Sequence, residues 1–112
     1  MSAEQANLFH EAPINPDREF QEKLIGNSGF TLERIVSHGH RTPDGEWYTS
    51  DDEEWVTVLA GSATLQLENR KEPYELKAGD YLTIPANTRH RVEWTDETCD
   101  TVWLALHVRG QS

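Results

Sequence analysis

From Phe30 to Arg109 the apolar residues recur with a period of two, and this alternation constrains the fold more than any other feature of the sequence. In residues 62–68, Ala63, Leu65 and Leu67 alternate with Thr64, Gln66 and Glu68. In residues 90–94, His90, Val92 and Trp94 alternate with Arg91 and Glu93. In residues 101–109, Val102, Leu104, Leu106 and Val108 alternate with Trp103, Ala105, His107 and Arg109. Less regular runs occupy residues 31–37, 54–59, 74–76 and 80–84. Turn signals divide them at Ala60-Gly61, Glu68-Asn69, Ala78-Gly79, Pro85-Ala86-Asn87 and Thr95-Asp96. Successive side chains of a strand point to opposite faces, so each run offers one face to a core and one to water. Many short strands with close-set turns predict an antiparallel sandwich or barrel and argue against a parallel α/β fold.

The 112 residues, 36% of them hydrophobic, suffice for one small core and not for two. Residues 1–15 show little periodicity and are expected to form an arm. Asn15-Pro16-Asp17 has the composition of a helix start, with Asn15 as cap and Pro16 in the first turn. Phe20 and Leu24 lie four apart, and residues 26–29, Gly-Asn-Ser-Gly, form a stop signal. The expected organisation is therefore an arm and short helix over residues 1–29 and a β-barrel over residues 30–110. Ten Lys and Arg against twenty Asp and Glu give a net charge of −10. A field of that sign repels phosphate backbones and anionic lipid, so neither nucleic acid nor a membrane is an expected partner. Cys99 is the only cysteine, and the opening residues lack a secretory pattern, which predicts a cytoplasmic protein without an internal disulfide.

Several polar residues interrupt the apolar faces. His38 and His40 are two apart, so in an extended chain both rings reach the same side and can share one ion. Glu54 shares a face with Val56 and Val58, and His90 shares one with Val92 and Trp94. A carboxylate and imidazoles at the starts of otherwise apolar strands suit a divalent transition ion at a barrel mouth. Without a metal, Glu54 could pair with Arg34 or Arg89, and His90 could bond a backbone carbonyl. His107 falls on the side of Trp103 and Ala105, away from Val102 and Leu104, and reads as structural or as a subunit contact. Residues 42–54 hold six acids and no base, with Trp47-Tyr48 among them, so part of this loop is expected to fold back onto the body.

Two stretches resemble the conserved motifs of the cupins. Gly79, five residues, then Pro85-Ala86-Asn87-Thr88-Arg89-His90 is similar to the second motif, and His38-x-His40, then Glu54 with Gly61 seven positions later, is similar to the first. The resemblance covers about residues 31–109 and implies a double-stranded β-helix, or jelly-roll, barrel. It also implies a metal held by His38, His40, Glu54 and His90. Three departures stand out. Thirteen residues, 41–53, separate His40 from Glu54 where the family has three or four. Asn87 replaces a glycine, and Trp94 stands where an asparagine often follows the second motif.

The expected protein is thus an all-β jelly-roll barrel with a short N-terminal helix, binding one divalent metal (iron, manganese, nickel or zinc) and acting on a small molecule. Dioxygenase-, isomerase- or decarboxylase-like chemistry follows from the resemblance, with Glu54 as ligand or as proton-moving catalytic group. Trp47, Tyr48 and Trp94 are the expected pocket or lid residues. The alternative is a small-molecule or metal-binding module without turnover. In either case the exposed sheet makes a homodimer the expected assembly.

Overall fold

The computed structural model describes residues 2–110. Among these residues the elements are β1 (Phe20–Gly26), β2 (Phe30–Ser37), β3 (Glu53–Ala60), β4 (Ser62–Leu67), β5 (Tyr74–Lys77), β6 (Tyr81–Ile84), β7 (His90–Thr95) and β8 (Thr101–Val108), with no helix. They form a five-stranded sheet, β1-β2-β8-β3-β6, and a three-stranded sheet, β5-β4-β7. Every paired strand is antiparallel. The core joins both sheets: Val56, Val58, Trp103 and Ala105 from the larger meet Ala63, Leu65 and Leu76 from the smaller. The all-β architecture predicted from the alternation, and the jelly roll implied by the resemblance, are the architecture observed.

The short N-terminal helix is not formed. Residues 20–26 are extended instead and pair with β2, Gln21 opposite Ile35 and Glu22 opposite Arg34. A two-turn helix is unstable unless packing supports it, whereas the same residues extended gain a ladder of backbone bonds along the edge of β2. The cap signal was a turn signal: Asn15 Oδ1 accepts from the Asp17 N–H at 2.8 Å. The apparent helix stop closes the β1–β2 hairpin, where the Asn27 N–H donates to Phe30 O at 2.9 Å. The arm lies against β2, because the buried Arg34 donates from Nη1 to the carbonyls of Leu8 and His10 at 3.1 and 2.6 Å.

Register decides which face of β8 is inward. Glu54, Val56 and Val58 of β3 stand opposite His107, Ala105 and Trp103 of β8. Trp103, Ala105 and His107 therefore face the barrel interior, and Val102 and Leu104 the opposite face of the sheet. Both sets of this strand are apolar, so alternation alone does not say which set turns inward.

A register shift does the same to Trp94. Leu65 pairs with Val92 but Thr64 pairs with Trp94, so the pairing slips by one residue between them. Beyond the slip Thr95 is fully buried and Trp94 is 43% exposed. Trp94 is thus not on the face of His90 and does not line the pocket.

The acidic loop folds back as expected. Its chain runs beside β7, the edge of the smaller sheet. The Thr42 N–H donates to Val92 O at 2.9 Å, and Tyr48 and His90 exchange backbone bonds at 2.8 and 2.9 Å. The Thr42 hydroxyl accepts from the Val92 N–H at 2.9 Å. Arg91 is buried beneath this strap, where its guanidinium donates to the carbonyls of Thr42 and Glu46. Asn87 has φ of +61°, the left-handed conformation that glycine supplies in the related motif and asparagine tolerates.

Candidate functional site

The barrel interior opens into a cavity of about 240 Å³. Its walls are apolar where Ile35, Val56, Leu65, Ile84, Val92 and Trp103 converge. Polar groups enter from one direction, on neighbouring strands of the larger sheet and on β7. Glu54 of β3 stands directly opposite His107 of β8, and Glu33 of β2 lies on the far side of His107. His90 begins β7 across the barrel.

These four side chains form a chain of contacts. His90 Nε2 lies 3.3 Å from Glu54 Oε1, and His107 Nε2 lies 3.8 Å from Glu54 Oε2. His107 Nε2 is also 2.9 Å from Glu33 Oε1. Glu54 is mostly buried, at 15% side-chain exposure, and His90 is at 12%. Burial alone would lower the His90 pKa, but the hydrogen bond and charge of Glu54, with the Thr88 carbonyl, outweigh it and raise it. His90 Nδ1 is 3.0 Å from Thr88 O and donates to it, which directs Nε2 at Glu54. The arginines that could have paired with Glu54 are committed elsewhere: Arg34 to Glu22 at 3.1 Å and Arg89 to Glu68 at 3.0 Å.

Glu19, just ahead of β1, completes the polar wall. Its Oε2 accepts from the Ser37 hydroxyl at 2.7 Å, and Ser37 Oγ in turn accepts from Trp103 Nε1 at 3.2 Å. Burial raises the Glu19 pKa, and the hydrogen bond from Ser37 only partly offsets it.

The two histidines of the expected first motif are not at this site. His38 Nδ1 is 2.9 Å from Asp100 Oδ1. The His38 N–H donates to His40 Nδ1 at 2.9 Å, so His40 carries its proton on Nε2 and gives it to Asn15 O. With both ring nitrogens engaged, His40 has no lone pair for an ion. The residues at the family's spacing before Glu54 are Tyr48 and Ser50, two apart and with three residues between Ser50 and Glu54. Both line the cavity, and Tyr48 is bridged to His90 through the backbone. The thirteen residues are thus not an insertion after a histidine pair; they contain the pair's positions, occupied by tyrosine and serine. Trp47 lies outside the cavity, its ring 5.5 and 5.9 Å from the guanidinium carbons of Arg89 and Arg91.

The four-ligand metal set implied by the resemblance therefore does not assemble: Glu54 and His90 reach the cavity, His38 and His40 do not. Among the described residues no group of three or more His, Cys, Asp or Glu is arranged to hold a metal ion. Sequence reasoning missed Glu19, Glu33 and His107. Glu33 and His107 each sit two residues from a core residue, Ile35 and Ala105, and that spacing could have flagged them once the inward face was known.

The sequence profile of the Cupin_2 family, described as a cupin domain, matches residues 34–107. No curated protein matches the sequence. The chain is similar to a protein of known structure from Ralstonia eutropha JMP134 described as a candidate mannose-6-phosphate isomerase. Identity is 41%, covering 96% of this chain and 100% of that one, with a TM-score of 0.91. It is also similar to an RmlC-like cupin with a double-stranded β-helix fold from Methanocaldococcus jannaschii, at 20% identity, 88% and 87% coverage and a TM-score of 0.67. A DMSP lyase from Ruegeria pomeroyi DSS-3 is similar at 24% identity over 84% of this chain and 48% of that one, with a TM-score of 0.69. At these last two identities the likeness shows the fold alone.

Proposed function

The chain belongs to the cupin family, and from that premise we propose that it binds a small carbonyl compound in the barrel and moves protons on it. Glu54 is the acid–base group, and His90 and His107 position it. The observation that carries this reading is one carboxylate facing two imidazole Nε2 atoms in an apolar cavity. Such a carboxylate can take a proton from the carbon beside a carbonyl. The electron pair of that C–H bond then moves toward the carbonyl oxygen, where the N–H of a neighbouring imidazole stabilises the developing enolate. In a hydroxycarbonyl compound the proton of the neighbouring hydroxyl then passes to the former carbonyl oxygen, and return of the abstracted proton to the former carbonyl carbon completes an isomerisation. The activity described for the Ralstonia eutropha protein belongs to that reaction class.

The test is proton exchange. The protein is incubated in D2O with a panel of small hydroxycarbonyl compounds, and loss of the C–H signal is followed by proton NMR. Enzyme-dependent exchange is expected, slowed by about 100-fold or more in Glu54→Gln. Equal exchange by wild type and variant would overturn the role of Glu54. Absence of exchange across the panel would favour a binding module without turnover.

A second reading keeps a divalent transition ion in the same cavity, with Glu54 and His90, the two expected ligands that reach it, as its protein ligands. It is favoured by the His90 Nδ1–H bond to Thr88 O, since metal-ligating histidines are commonly oriented through their other nitrogen in this way. When bound, such an ion supplies Lewis-acid or redox chemistry. Iron, manganese, nickel or zinc at near-stoichiometric amounts in protein purified without chelator, lost in His90→Ala, is the result it requires. No metal in either sample, and none taken up on addition, contradicts it.

A further inference from the structure

The cavity contains three carboxyl groups, Glu19, Glu33 and Glu54, and two imidazoles, but no lysine or arginine among its lining residues. With Glu19 ionised, the three carboxylates outnumber the two imidazoles even when both are protonated. No glycine lines the cavity, and no helix end exists among the described residues to receive an anion through backbone N–H groups. The cavity thus offers a phosphate or a carboxylate no lysine, arginine or helix N-terminus; it holds hydroxyls and two imidazoles already paired with Glu54 and Glu33, and the chain's net charge of −10 adds to the repulsion.

We infer that the ligand of this cavity is a small organic cation, a compound with an ammonium head and a short apolar body. The inference rests on the reading of the cavity as the ligand site and adds the class of molecule it takes. Three features select that class. The Glu19 carboxylate accepts from the Ser37 hydroxyl and has no lysine or arginine beside it in the cavity wall, the nearby His40 lying outside the cavity. The Trp103 ring forms part of the floor and Tyr48 stands at the mouth, and aromatic faces attract alkylammonium groups. The remaining wall is aliphatic, and about 240 Å³ is smaller than a drug-sized site, so the body of the ligand must be compact. Burial has already pushed the Glu19 carboxyl toward its neutral form, and a cation seated beside it would relieve that penalty.

The test uses an isosteric pair that differs in charge, choline and 3,3-dimethylbutan-1-ol, with mannose 6-phosphate as the anionic arm. The indole N–H signal of Trp103 is followed by NMR titration, because Trp103 lines the floor and is hydrogen-bonded to the Ser37 that holds Glu19. Choline is expected to bind about tenfold or more tighter than its neutral isostere, and mannose 6-phosphate not to bind. In Glu19→Gln and Glu33→Gln the ratio between the two isosteres should shrink, a readout that a general loss of packing would leave unchanged. Equal binding of the isosteres, tighter binding of the phosphate, or no response to any probe would overturn the inference. Glu54-dependent proton exchange would survive each of those outcomes. Conversely, a choline preference without any exchange would remove the proposed reaction and leave the ligand class standing.

Discussion

Glu54 and His90 were legible as inward-facing polar residues for one physical reason: each is a polar side chain on a strand whose other inward residues are apolar, and such a group needs a partner inside the fold. Each found the other, at 3.3 Å. His107 was not legible, because Trp103 and Ala105 on its face and Val102 and Leu104 on the opposite face are equally apolar. Tyr48 and Ser50 were hidden because they lack the imidazoles by which a first motif is recognised, while His38-x-His40 nearby has them. Glu19 gives a pH dependence whose sign can be worked out. Its pKa is raised in the fold above the unfolded value, so its ionised form is penalised by folding. The penalty is fully present above the folded pKa and vanishes below the unfolded one, near 4.5. Glu19→Gln is therefore expected to melt at a higher temperature than wild type at neutral pH, with the gain shrinking as the pH falls through that window. A variant that melts lower at neutral pH and shows no such convergence would contradict this assignment.

Among the elements, the strap over β7 and the tight β3–β4 turn give the clearest expectations. Thr42 is almost fully buried and its hydroxyl accepts the Val92 N–H, so Thr42→Val leaves a buried donor without its partner. A loss of about 1–3 kcal/mol in denaturant unfolding is expected, and with it a displaced Tyr48 at the cavity mouth. Unchanged stability would mean that the strap is not held by this bond. Gly61 is the other fixed point. Its φ is +84°, and a Cβ there would meet Thr101 Oγ1 at 2.5 Å and Asp100 O at 2.7 Å. Gly61→Ala should cost about 3 kcal/mol from backbone strain and overpacking together, read from the same unfolding curves. The seven-residue spacing from Glu54 to Gly61 thus marks a real backbone requirement, legible in the sequence. The helix expected near the N-terminus was a misreading of local turn chemistry: Asn15 bonds its own backbone two residues on, as a cap residue would, with no helix after it.

For the molecule as a whole, alternation and turn spacing were enough to specify an antiparallel sandwich or barrel, and the two motif-like stretches narrowed it to the jelly roll. What they could not specify was register, and register placed His107 inside and Trp94 outside. The net charge of −10 on 112 residues makes the folded state self-repelling. Sodium chloride at physiological strength should raise the melting temperature relative to low salt, and a fall would show that specific ion pairs dominate instead. The central claim is that the working centre is the Glu54, His90 and His107 cluster inside the barrel, with His38 and His40 outside it. It is tested most directly by the imidazole NMR signals of wild type and Glu54→Gln, compared at one pH. The signals of His90 and His107 should move and those of His38 and His40 should stay. Movement of His38 and His40, with His107 unaffected, would contradict it.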